Sequence, residues 1–317
     1  MKQKITGLIV VLLFSFCIVV AQQTTADFQK LTGLYLGQQP PGKIPELFAP
    51  DVFSAQFISH HSALHFSPDG KELYFHAREK DTGRALIWFS RIEGTVWSSP
   101  KPVSWGLGSD DAPFMTHDGE RMFFLSWCAA DKKGRADKET VWVMNKTEKG
   151  WGQPELLPQT INSMRLIHWG ISLDRNQNLY FGVRPTMSLS DGYAGDIYCA
   201  GFKNGTYVAP IKLPLEINIP GFKFSPFIAP DGSYILFTHI GNKDDHYKIM
   251  ISFNTSNGVW TKAKEINDSI GLKNENIMNP YVSPDGKYFF FNRIVDNSGK
   301  YYWIDASFIE EMRRKNK

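Results

Sequence analysis

Three carboxylates, Asp110, Asp111 and Glu275, are the chain's candidates for acid–base chemistry. Two carboxyl groups facing each other across a cleft can act as acid and as nucleophile or base in glycoside hydrolysis. A second set carries nitrogen: His60, His61, Arg78, Arg165, His168, Arg184, Lys223, His239 and Arg293, with Asn279 and Trp127 beside them. Arginine forks bind carboxylates through paired hydrogen bonds, and an indole offers a flat stacking surface. Such a set suits an anionic or polyhydroxylated ligand. These residues are scattered over more than 200 positions, so one site requires a fold that gathers them.

A repeat does the gathering. Five segments share a turn followed by an aromatic strand: Ser67-Pro68-Asp69-Gly70-Lys71 before Leu73-Tyr74-Phe75, Thr116-His117-Asp118-Gly119 before Met122-Phe123-Phe124, and Ser172-Leu173-Asp174-Arg175 before Leu179-Tyr180-Phe181. Ala229-Pro230-Asp231-Gly232 before Ile235-Leu236-Phe237 and Ser283-Pro284-Asp285-Gly286 before Phe289-Phe290-Phe291 complete the series. The aspartates lie 49, 56, 57 and 54 residues apart. Proline presets the first turn position, aspartate accepts from nearby amides and glycine takes the left-handed conformation, so each motif joins two antiparallel strands. The aspartates are read as turn formers rather than catalysts. The third repeat lacks proline and glycine, and Asn176 or Asn178 is expected at its left-handed position.

A third strand follows in each repeat, and a fourth in the first four: Trp97–Val103, Trp151–Leu157, Tyr207–Leu213 and Trp260–Ile266. Four short strands in about 50 residues describe a propeller blade. The fifth repeat has no fourth strand. Pro45-Glu46-Leu47-Phe48-Ala49-Pro50 resembles the fourth strand Pro154-Glu155-Leu156-Leu157-Pro158 and is expected to complete the last blade. The fold expected is therefore all-β: a five-bladed β-propeller over residues 44–306, closed by an N-terminal strand. An extension over 22–43 precedes it, and a short helix with a basic tail over 307–317 follows.

The Ser-Pro-Asp-Gly-Lys turns with their aromatic strands resemble the β-propeller repeats of the TolB and tricorn-protease type, relatives of the WD-repeat propellers. The ending Tyr302-Trp303-Ile304-Asp305-Ala306-Ser307-Phe308-Ile309-Glu310-Glu311 looks like that of exported bacterial members. The resemblance implies a periplasmic or secreted propeller that binds a protein or glycan ligand. It implies no activity, because propellers host many functions.

In such a disc the Pro-Asp-Gly turns occupy one face. Residues before the innermost strands and after the second strands come together on the other, around the mouth of the central channel. His60, His61, Asp110, Asp111, Arg165, His168, Lys223, Glu275 and Asn279 fall in the first group; Arg78, Trp127, Arg184, His239 and Arg293 fall in the second. The reading preferred is a non-catalytic binding site at this mouth. The alternative is a carbohydrate-active enzyme using Asp110, Asp111 and Glu275. The competing structural reading is that these polar loop residues neutralise one another.

Several classes are excluded or disfavoured. His61 and His65 lie four residues apart in an extended segment, about 13 Å, too far to share an ion, so no metal and no cofactor is expected. No Gly-x-Ser-x-Gly elbow is present, so a complete propeller peptidase is not expected. Lys2 and Lys4 precede an uncharged run from Ile5 to Val20, and Val19-Val20-Ala21 offers a cleavage site, the pattern of a secretory signal over residues 1–21. The run is short of the about 20 residues a membrane span needs. The chain has 35 Lys and Arg against 32 Asp and Glu. Removing the two signal lysines leaves 33 − 32 = +1, so neither nucleic acid nor, after cleavage, membrane is an expected partner. A monomer with free Cys128 and Cys199 is expected, since two cysteines do not make a disulfide framework.

Overall fold

The computed structural model describes residues 31–59, 62–164, 166–185 and 194–315. Five antiparallel sheets follow one another along the chain, each built around four strands from the channel outwards. The first blade is His65–Phe66, Glu72–Glu79, Ala85–Glu93 and a broken outer strand, Val96–Trp97 then Lys101–Pro102. The second is Asp110–Met115, Arg121–Cys128, Arg135–Thr147, with Gly150–Trp151 and Glu155–Leu156 outside. The third runs Ile167–Leu173, Leu179–Val183, Asp196–Ala200, Ile211–Lys212, and the fourth Phe222–Ile228, Tyr234–Ile240, Lys248–Phe253, Lys264–Glu265. In the fifth, Ile277–Val282, Tyr288–Val295 and Ser298–Asp305 are joined by Glu46–Leu47, paired with Trp303 and Tyr302. The chain is a five-bladed β-propeller whose N-terminal strand completes its last blade.

Each expected outer strand is shorter than its apolar pattern. In the first three blades Pro100, Pro154 and Pro210 interrupt it, because proline has no N–H to give the ladder. The turns behave as their chemistry dictates. Asp69 Oδ1 accepts from the Ser67 hydroxyl at 2.6 Å and from the Lys71 amide at 3.1 Å, while Gly70 sits at φ +70. Thr116 with Asp118 and Ser283 with Asp285 repeat the arrangement. Partial burial pushes these carboxyls up, but the hydroxyl and amide donors outweigh it and hold Asp69, Asp118 and Asp285 below the ordinary carboxylate value.

The third turn departs from the expected alignment. The Asp174 amide bonds the Asn178 carbonyl, as Ser67 does with Glu72, so Asp174 holds the place of the serine and not of the turn aspartate. The left-handed position three residues on is Gln177, at φ +64, rather than Asn176 or Asn178. Asp174 Oδ1 and Oδ2 bond the Asn178 backbone and side-chain amides at 3.0 and 2.8 Å, which fastens the turn without proline or glycine.

Three asparagines fasten the blades from the loops that follow the outer strands. Asn162 accepts from the Val141 amide and donates to the Val141 and Leu157 carbonyls. Asn218 does the same with Ile197 and Leu213, and Asn267 accepts from Ile249. All three are buried beside a buried isoleucine, Ile161, Ile217 or Ile266.

The seam between the last and first blades is the most aromatic part of the core. Phe48 meets Phe290 at 5.1 Å, and Tyr35 meets Phe66 and Tyr288 at 5.2 and 5.0 Å. The ring is closed without a covalent bond inside the last blade, where Glu46–Leu47 pairs with Trp303 and Tyr302, and the apolar contact around that pairing holds it. Residues 31–43 strap the seam from outside: Thr32 bridges Val96, and the Trp97 indole donates to the Gly33 carbonyl at 2.7 Å. The helix Ser307–Arg314 packs Phe308, Ile309 and Met312 inwards and lays Arg313 over Phe253 of the fourth blade. Among the described residues no helix is long and apolar enough to cross a membrane. Cys128 and Cys199 are free thiols.

Candidate functional site

The channel mouth opposite the turns is built by a bulge in the innermost strands. Pairing with the second strand skips between Asp111 and Phe114, Ile167 and Ile171, Phe224 and Phe227, and Met278 and Tyr281. Ala112, Ser225 and Asn279 sit there at φ +50, +46 and +57, each followed by proline, and Trp169 takes the place in the third blade at φ +54. Positive φ costs a side-chain-bearing residue of order 1–3 kcal/mol, so the surrounding packing must enforce it. Gly170 is required here: a Cβ on it would lie 2.8 Å from Ser225 Cα, at a φ of +142.

Below the mouth the channel is closed. His65 is wholly buried between the rings of Phe114 and Tyr281, at 4.5 and 4.8 Å, and Phe227 meets Tyr281 at 5.7 Å. The space above this plug, lined by Ser62, Trp169, Ser225 and Pro280 among others, is about 30 Å³. That is room for one or two waters, not for a sugar ring. Burial drives the His65 pKa down to about 3, so the plug holds a neutral imidazole, which meets the Met115 carbonyl at 3.1 Å.

The residues singled out from sequence are distributed around this mouth, and most are engaged within the fold. Asp110 is 3% exposed, and its Oδ2 accepts from the Leu107 and Gly108 amides at 2.5 and 3.1 Å. Burial raises its pKa against the pull of those donors and of Ser126. Asp111 folds onto the Ala112 amide at 2.6 Å and lies 3.6 Å from His76 Nδ1. Glu275 is clamped by Arg293 at 2.9 and 3.2 Å. Arg78 donates to the Gly83 carbonyl of its own hairpin at 2.7 Å, and Arg184 lies buried 4.9 Å over the Phe222 ring.

Lys223 is 2% exposed; its ammonium reaches the Ile219 and Gly221 carbonyls at 2.6 and 2.7 Å and Asp196 at 3.1 Å. Burial lowers its pKa, opposed by Asp196. His239 meets the Pro220 carbonyl at 2.8 Å, and burial lowers its pKa too. Asn279 is buried; its amide N–H donates to the Thr238 hydroxyl at 2.9 Å, and its side chain meets Ser225 at 2.7 Å. Trp127 is half-buried with the Arg135 guanidinium 4.4 Å over its ring. His60, His61 and Arg165, and the side chain of His168, lie outside the described residues.

The fold thus brings Asp111 to His76 and Glu275 to Arg293. Among the described residues no group of three or more His, Cys, Asp or Glu could hold a metal ion. Trp169 was not singled out from sequence. It is half-buried at the mouth, its ring 5.0 Å from Phe224 and 5.9 Å from Phe222, with Tyr247 completing the cluster. The signal available was Trp169-Gly170, standing where other repeats carry Ala112-Pro113, Ser225-Pro226 and Asn279-Pro280. The two-residue misalignment at Asp174 hid it.

No protein-family model matches the chain, and no curated protein matches it. Similar solved structures include TolB from Acinetobacter baumannii, 15% identical over 76% of this chain and 53% of that one, at a TM-score of 0.46. This chain therefore spans about half the length of that protein. A nidogen/laminin complex is 17% identical over 73% and 71%, at 0.45, and an endo-arabinase from Bacteroides thetaiotaomicron is 14% identical over 77% and 92%, at 0.45. Likenesses of this strength carry no argument about function; the five blades rest on the strand pairing itself.

Proposed function

We propose that this chain is an exported, non-catalytic binding propeller that takes a glycan on its channel-mouth face, with Trp169 as the stacking platform. The observation that carries this reading is the half-buried indole held at the mouth on positive-φ backbone and braced by Phe222 and Phe224. A rigid aromatic surface costs little entropy to dock a sugar ring against. The engagement of Asp110, Asp111 and Glu275 inside the fold supports binding over hydrolysis, which needs carboxyls about 5–9 Å apart and facing a substrate. The basic, apolar and small-residue pattern of residues 1–21 supports export, and the repeats support kinship with the TolB and tricorn type.

Calorimetric titration of purified protein against a panel of bacterial and plant oligosaccharides tests the reading. A ligand should bind the parent chain, and Trp169→Ala should weaken it at least about tenfold, the worth of one aromatic stack. Binding untouched by Trp169→Ala would sink the platform. Turnover of a glycan, abolished in Asp111→Asn or Glu275→Gln, would replace the binding module with an enzyme.

A further inference from the structure

A second cavity, larger than the channel space, opens on the seam where the ring closes. Its volume is about 240 Å³, against about 30 Å³ in the channel. Phe48, Phe53, Phe57 and Tyr301 form its floor, and Ile58, 48% exposed, stands at its edge. The floor is rigid: Phe53 meets Tyr301 edge-on at 5.0 Å and Phe75 at 4.9 Å, and Phe57 meets Trp88 at 5.0 Å. Packed interiors hold few voids larger than a water molecule, so an open space of this size walled by aromatic rings is suited to an apolar guest. Among the described residues that line it, the charged ones are both cationic, Lys80 and Lys300.

We propose that this seam cavity binds a small amphipathic anion: a medium-chain aliphatic carboxylate, its tail on the phenyl floor and its carboxylate beside Lys80 and Lys300. The charge of the lining selects the head group, and the aromatic floor selects the tail. One wall comes from the N-terminal segment, residues 47–58, and the other from the third strand of the last blade, residues 298–301. A bound ligand therefore bridges the two chain segments whose contact closes the ring, and it stabilises the closed form by mass action. This site is separate from the channel mouth and does not rest on the glycan reading.

Octanoate is the probe. Titration calorimetry should show one saturable site per chain, and the thermal midpoint should rise with octanoate concentration. Octyltrimethylammonium, with the same tail and the opposite charge, should not bind. The Lys80→Ala/Lys300→Ala double variant should keep the parent's urea midpoint without ligand and lose about tenfold in affinity. A photoreactive octanoate analogue on the unmutated chain should label residues 47–58 or 298–301. Trp169→Ala should leave octanoate binding intact. Absence of a saturable site, equal binding of the cationic amphiphile, unchanged affinity in the double variant, labelling elsewhere, or loss of binding in Trp169→Ala would each overturn the proposal.

Discussion

His65 of the first blade and Phe114 of the second meet ring to ring at 4.5 Å inside the channel. With Tyr281 on its other side, burial disfavours the charged imidazole, and its pKa falls to about 3 from an ordinary 6.5. The unfolded chain takes up that proton below about pH 6.5 and the folded chain does not, so the unfolded state binds more protons and stability falls as pH drops towards 3. This one group should contribute a slope of about 1.4 kcal/mol per pH unit between pH 6 and 4. Urea unfolding of parent and His65→Phe across that range checks it. The variant should show the shallower slope, and parallel profiles would refute the assignment. The turn aspartates add their own loss, which sets in as pH falls through the ordinary carboxylate range, where the unfolded chain takes up protons that the depressed native carboxyls do not.

Asn218 accepts from the Ile197 amide and donates to the Ile197 and Leu213 carbonyls, at 2.8, 3.0 and 2.8 Å. Asn218→Ala takes the Asn218 partner from the buried Ile197 amide and Leu213 carbonyl, while the Ile197 carbonyl keeps the Leu213 amide. At about 1–3 kcal/mol for each unsatisfied group, partly relieved by water, a loss of about 3 kcal/mol in unfolding free energy is expected. Asn218→Asp should cost at least as much, since it keeps the acceptor for Ile197 N–H but sets a buried carboxylate oxygen against the Ile197 and Leu213 carbonyls. Denaturant midpoints at constant m-value measure the order.

Trp97 is 1% exposed and ties the strap to the first blade through Gly33. Trp97→Phe removes the indole donor and should cost about 1 kcal/mol. Trp97→Ala adds a cavity and should cost about 3–5 kcal/mol. Limited proteolysis should then cut within residues 31–43 first, because the strap loses its anchor before the blades unfold. A strap as resistant in Trp97→Ala as in the parent would show that its other contacts, Tyr35 in the core and the Gly42 carbonyl on the Asp305 amide among them, hold it.

Gln177 adopts φ +64 where four other turns have glycine. Gln177→Gly should relieve the left-handed strain and stabilise the chain by about 0.5–1 kcal/mol, even though it removes the Arg121 contact to the Gln177 side chain. That contact is partly solvated, and Arg121 keeps its positions over Phe123 and Phe202. A lowered thermal midpoint would show that the arginine contact outweighs the backbone term.

The blades were legible because their signals are local. A Pro-Asp-Gly turn needs only four or five neighbouring residues, and an aromatic strand next to it has one way to pair. The closing strand was legible for a related reason: Pro45 to Pro50 carries the pattern of an outer strand, and the last repeat lacks one. Where the local signal weakened, at Asp174, the alignment slipped by two residues. Gln177 was then missed as the turn residue, and Trp169 as the residue at the mouth.

What the sequence could not decide is which polar side chains remain available to a ligand. Residue type and repeat position bring Asp110, Lys223, Glu275 and Arg293 to one face, but hydrogen-bond saturation depends on atoms contributed by other loops. The Leu107 and Gly108 amides take Asp110, Asp196 and two carbonyls take Lys223, and Glu275 and Arg293 take each other. Channel width is likewise a tertiary property, because it is set by how five inner strands lean together until His65, Phe114, Phe227 and Tyr281 touch. By itself the sequence determined the number of blades and the way the ring closes, through short-range turn chemistry and strand pattern. Only the tertiary structure decided that the channel is shut, that most mouth charges are spent inside the fold, and that an open apolar cavity lies on the seam, since each depends on packing between residues distant in the chain.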